Sequence, residues 1–221
     1  MDTPTKTKNS QKVSVQLNTQ LYAVPTPAGA VYATANGSSS KQRDFLYQLI
    51  IHNHEQKINA ALLKKWGGSE NIQTTVKIFY RLQQLNYITG STEKPASIPS
   101  GQLDDILTKI ISPLSNNNKA VLSDSNGLYI ASSGYPHEVA EELAAMSVDL
   151  YLLYSRHQKL LVNNLNIATE AIAMIAPDGY SQLGFWPLHI GSNVFFLILG
   201  GVPQLQHKAF TVLVKLLASK Y

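Results

Sequence analysis

Few residues in this 221-residue chain have the types and spacing that chemistry demands. His52 and His54 stand two apart at the end of a helical pattern, which points their imidazoles to different faces, and no third ligand lies nearby in sequence. Ser123 and Asp124 adjoin a predicted hairpin turn, where an aspartate side chain most simply accepts from the turn amides. Glu138, Glu141 and Glu142 open a long helical pattern, where carboxylates suit the positive end of the helix dipole. The sequence holds no Gly-x-Ser-x-Gly, no glycine-rich phosphate loop ending in Lys-Ser or Lys-Thr, no His-Glu-x-x-His and no cysteine. No catalytic residue, no metal site and no cofactor is therefore expected. A protein that works by binding is the better reading.

Composition permits a real core, with apolar residues at 44% and charged residues at only 14%. The lack of cysteine excludes disulfides and thiolate metal sites and fits a reducing compartment. Lys6, Lys8 and Lys12 are not followed by an apolar run, so no signal peptide is expected. The longest apolar run, 194–202, contains two glycines and is far shorter than the ~20 residues of a membrane span. A soluble, cytoplasmic protein is expected. Charge is uneven: residues 1–101 hold 11 Lys and Arg against 5 Asp and Glu, a net +6, and residues 102–221 hold 7 against 9, a net −2. A basic half admits nucleic acid as a partner.

Residues 1–19 are polar and read as a disordered tail. In 21–34, two prolines and a glycine among aromatic and β-branched residues predict two short strands around a turn. Helices are expected over 44–53, over 59–66 with a glycine stop at Gly67 and Gly68, and from Ser69 as N-cap through Leu85. A short strand over 87–89 completes the order of a winged helix for residues 20–92. On the third of those helices Gln73, Thr74, Lys77, Arg81 and Gln84 face outward, and Lys77 and Arg81 are the candidate DNA contacts. Pro95, Pro99 and the serines of 93–101 mark a linker.

The second unit, 102–221, turns on a hairpin at Asn126-Gly127, predicted as type I′, between strands 119–124 and 128–133. A helix over 102–115 precedes it and a long helix over 137–161 follows. The long helix carries two stripes. One is large: Val139, Leu143, Met146, Leu150, Leu153, His157 and Leu160. The other is mostly small: Ala140, Ala144, Ser147 and Tyr151. The large stripe is expected on the sheet and the small one against another helix, and so much apolar circumference predicts self-association. Strands over 168–176, 181–189 and 193–199 follow, joined at Asp178-Gly179 and by a II′-type turn at Gly191-Ser192. The last strand is apolar on both faces and should lie mid-sheet. A helix over 204–219 closes the chain. Phe185 and Trp186 are candidate partner anchors.

The order α-β-β-α-β-β-β-α, with the Asp-x-Asn-Gly turn of Asp124 to Gly127 and a long helix before a three-stranded meander, resembles the Roadblock/dynein light chain family over 102–221. That resemblance implies an α+β fold, a five-stranded antiparallel sheet between the long helix on one side and the first and last helices on the other. It implies a dimer through the long helix and the edge third strand, onto which fall Ala140, Leu143, Ala144, Met146, Ser147, Leu150, Tyr151, Ala171 and Ala173. It also implies a small Ras-like GTPase as partner, bound by a non-enzymatic adaptor or regulator. The rival expectation is a DNA-binding regulator whose C-terminal half only dimerises.

Overall fold

The computed structural model describes residues 17–52, 56–69, 71–95 and 101–221; the expected tail 1–16, His54 and linker residues 96–100 lie outside them. Strand β1 (Tyr22–Pro25) is followed by helix α1 (Pro27–Thr34), where a second strand was expected. Thr26 explains the difference. Its hydroxyl accepts from the Gly29 amide at 3.1 Å while Pro27 supplies a preset first helical residue, and the alanines that follow favour helix.

Helices α2 (Lys41–His52), α3 (Ala60–Gly67) and α4 (Ile72–Gln84) come next. Gly68 stops α3 in the left-handed region at φ +55°, as the glycine signal predicts. The N-cap of α4 is Asn71, not Ser69, and its side chain accepts from the Gln73 and Thr74 amides. Strand β2 (Ile88–Ser91) then pairs antiparallel with β1. Three helices followed by a strand thus occur in order, but α1 precedes them and the strand closes back on β1 and not on a second strand of a wing.

The second unit opens with α5 (Leu103–Ile111) and a short 3-10 turn, Ser112–Leu114. Strands β3 (Ala120–Ser123) and β4 (Tyr129–Ser133) form the expected hairpin with a different turn. Only Gly127 has positive φ, +80°, and the Gly127 amide donates to Asp124 O, so a type I turn closes on a left-handed glycine. Asp124 Oδ1 accepts from the Asn126 and Leu128 amides at 2.9 Å each, which is its structural employment. Helix α6 (His137–Gln158) runs on into a π-helical turn, Lys159–Asn164. Strands β5 (Ile172–Ile175), β6 (Ser181–Ile190) and β7 (Asn193–Gly200) make the meander, and α7 (Ala209–Lys220) begins five residues later than its pattern suggested. Gly191 at φ +60° followed by Ser192 without positive φ fits the II′ expectation.

The sheet order is β4-β3-β7-β6-β5, antiparallel throughout, with the doubly apolar β7 at its centre. Phe195, Leu197 and Leu199 join a core with α5 and α7, and Phe196 and Ile198 join a separate one with α6. Pro187 is admissible in β6 because β5 pairs no further than Phe185. The α5–α7 core continues without a break into Ala30, Phe45, Leu49, Leu63, Trp66 and Leu82 of the N-terminal helices. Phe45 meets Trp66 edge-on at 6.0 Å.

Phe45→Ala should cost about 3–5 kcal/mol, the usual range for a buried phenylalanine. The two tryptophans sit in different units, so single-tryptophan variants (W66F or W186F) report each unit separately in urea. Both fluorescence midpoints should fall together with Phe45→Ala; an unmoved Trp186 signal would show that the two cores unfold independently.

Candidate partner-binding surface

The packing of α6 decides which residues a partner can reach. A helix lies close to a sheet only where its facing side chains are small, because the strands already present bulk. Here Val121, Phe196 and Ile198 supply that bulk, and Ala140, Ala144 and Ser147 sit on it at 1% exposure or less. Ser147 Oγ donates to Ala144 O at 2.6 Å and lies 3.3 Å from Ser123 Oγ, so Ser123 is a buried core group under the helix. The small stripe thus faces the sheet, against expectation, and the large one divides: Leu143 joins the same core and Met146 and Leu150 pack at its margin, while Val139, Leu153 and Leu160 turn outward.

The residues expected at a dimer surface differ in exposure. Ala140, Leu143, Ala144 and Ser147 are buried and offer nothing to a partner, and Tyr151 is half-buried with its ring 5.4 Å from that of Phe196. Met146 and Leu150 remain half-exposed, and Val139, Leu153 and Leu160 of the same stripe are exposed, Leu153 and Leu160 by 48% each. On β5, Ile172 pairs with Phe185 and Met174 with Leu183, both of which pack beneath α6. Cross-strand partners share a face, so Ile172 and Met174 lie on the α6 side and Ala173 on the other. Ala171 falls just before the strand and is half-buried. The apolar side chains left accessible along this flank are Val139, Met146, Leu150, Leu153 and Leu160 with Met174, beside the sheet edge formed by β5.

Neither aromatic anchor stands free. Phe185 is 2% exposed in the α6 core. Trp186 is half-buried on the opposite face, folded over Gly184 and beside Val31 of α1. Gln73, Lys77, Arg81 and Gln84 do form an exposed face of α4, with Thr74 half-buried at its margin. His52 is exposed, its imidazole held below the usual range by partial burial and by Lys65. Among the described residues no group of three or more His, Cys, Asp and Glu side chains could hold a metal, and no helix is long and apolar enough to cross a membrane.

One polar contact under α6 escaped the sequence reading. Glu170 is 8% exposed, yet its Oε2 meets His189 Nε2 at 2.7 Å across 19 residues. The 36–38 turn passes over the imidazole, close enough that a Cβ on Gly37 would stand 3.1 Å from Nδ1. Burial raises the Tyr151 and Tyr154 phenols above the usual range, and the Glu170 carboxylate raises them further. Both stay neutral across the physiological range. The Glu170–His189 contact ties the start of β5 to β6 and to the N-terminal unit, and it is structural.

No family model matches the chain, and no curated protein matches it. Solved structures similar to it include the following two. Myxococcus xanthus MglB is 16% identical over 56% of this chain and 96% of its own, with a TM-score of 0.37. A Roadblock/LC7 domain from Streptomyces avermitilis is 15% identical over 54% of this chain and 93% of its own, with a TM-score of 0.33.

Glu170→Ala should destabilise the fold by about 1–3 kcal/mol, because the buried imidazole loses its partner. A double cycle with His189→Ala, read from urea denaturation, should return a coupling of comparable size; additive losses would mean that the contact contributes nothing.

Proposed function

We propose that the chain is a non-enzymatic dimeric adaptor or regulator that binds a small Ras-like GTPase through a Roadblock-like domain over 102–221. The observation that carries this reading is the outward apolar stripe of α6 beside the edge strand β5. A monomer leaves Leu153, Leu160 and Met174 about half exposed along one flank of the sheet. Burying each such side chain against a partner contributes up to about 1.5–3 kcal/mol, which makes an unpartnered flank an unfavourable end state. Support for the family reading comes from the element order and from the strand order β4-β3-β7-β6-β5, which puts the third strand of this domain at the edge. The chain supplies surface, not a catalytic group, and its effect is read on the partner as altered GTP hydrolysis or altered location.

A second reading follows from α4, where Lys77 and Arg81 stand one turn apart on an exposed face with Gln73 and Gln84. On this reading the face contacts DNA phosphates and the C-terminal half serves as the dimerisation unit. Binding would then weaken steeply with salt, with a slope near −0.9 per phosphate neutralised.

Leu153→Glu combined with Leu160→Glu should convert a species of twice 24.3 kDa into one of 24.3 kDa by light scattering, with the far-ultraviolet spectrum unchanged. A wild-type chain that is monomeric at about 100 μM, where interfaces of micromolar affinity are formed, overturns the dimer. For the partner, capture from nuclease-treated host lysate loaded with a GTP analogue or with GDP should recover one small GTPase preferentially in one nucleotide state. Recovery of DNA without nuclease, abolished by Lys77→Glu with Arg81→Glu, would favour the second reading instead.

A further inference from the structure

A cleft of about 810 Å3 opens between the N-terminal unit and the α5–α7 face of the second unit, away from α6. That volume lies within the roughly 300–1,000 Å3 of small-molecule sites. Its walls are apolar: Pro25 at the end of β1, Leu49 and Ile50 of α2, Ile110 of α5 and Val212 of α7. Every charged side chain among its described lining residues is a lysine: Lys109, Lys208 and Lys215. The first turn of α7, which starts in the cleft wall at Ala209, carries no acidic residue to offset the positive end of the helix. Burial lowers the Lys215 ammonium from its usual range.

An apolar trough with cations in its wall matches an amphiphile with an anionic end. We propose that the cleft binds a single-chain amphiphile with an anionic head, of the fatty-acid class, taken up as a monomer from solution. The tail lies along Leu49, Ile50, Ile110 and Val212, and the head faces the lysines. Charge selects this occupant over the alternatives. Residues 1–16 carry Lys6, Lys8 and Lys12 against the single acid Asp2, the same sign as the cleft, so the start of the chain is a poor occupant. A cationic amphiphile is disfavoured for the same reason. The inference is independent of the GTPase reading, because it uses the opposite face of the sheet.

Dodecanoate, kept below its micelle concentration and titrated into the full chain by calorimetry, should bind once per chain. Affinity should rise about three- to fourfold per methylene from octanoate to dodecanoate, the increment of burying one CH2. Dodecyltrimethylammonium should bind at least about tenfold more weakly. Lys109→Glu with Lys208→Glu, both at exposed positions, should lose about tenfold or more of dodecanoate affinity with an unchanged far-ultraviolet spectrum. Val212→Trp, which fills the trough, should abolish binding; Ala209→Trp gives the same test should the first variant fail to fold. The proposal is overturned if dodecanoate shows no heat at millimolar concentration, if the cationic amphiphile binds equally, or if the charge-reversed variant binds as well as wild type. Retention on anionic vesicles without binding of monomeric dodecanoate would overturn it in favour of a membrane surface.

Discussion

A strand that cannot touch water on either face sets the terms for everything around it. In β7, Phe195, Leu197 and Leu199 point one way and Phe196 and Ile198 the other, and all five are at 2% exposure or less. Such a strand must lie mid-sheet, and the sheet must be covered twice. Coverage is unequal. On one side α5, α7 and the N-terminal helices build a single continuous cluster, and on the other a cluster of six buried residues includes two of α6 itself, Ala140 and Leu143. The thick side has little left to offer a large partner. The thin side has an apolar flank left over.

The same constraint explains why α6 packs as it does. Turning the whole large stripe inward, and not Leu143 alone, would hold the helix away from Phe196 and Ile198 and leave voids that forfeit dispersion contacts. Turning the small stripe inward brings the helix close enough that a Cβ on Gly127 would stand 3.2 Å from the Ala145 backbone. The hairpin turn is thereby pinned against the helix. Close packing inside displaces Leu153 and Leu160 to the outside, so an efficient core and a sticky surface have one cause.

Periodicity carried most of the fold into the sequence. The alternation in 193–199, the turn glycines and the stripes of 137–161 predicted the order of the second unit and the place of β7. What failed was what periodicity cannot rank. Two stripes on one helix have the same period, and only the shape of the facing strands, 15 to 60 residues away in the chain, chooses between them. In 21–34 the prolines and glycine among aromatic and β-branched residues pointed to two strands, and the Thr26 cap together with contacts to Asn86 and Tyr87 decided for helix after Pro25. The Glu170–His189 pair was invisible because neither residue has a local reason to be buried; the fold brings them together.

The two faces differ in what they can recognise. Beside α6 the exposed groups are apolar and lie along a helix flank and a strand edge, an arrangement suited to another protein surface. Across the sheet, the cleft is concave, walled by both units and lysine-lined, a shape suited to one small anion with a tail. An occupant there touches Pro25 and Leu49 from the N-terminal unit and Ile110 and Val212 from the second at once. It can therefore change how firmly the units hold each other only by binding the joined arrangement better than the parted one.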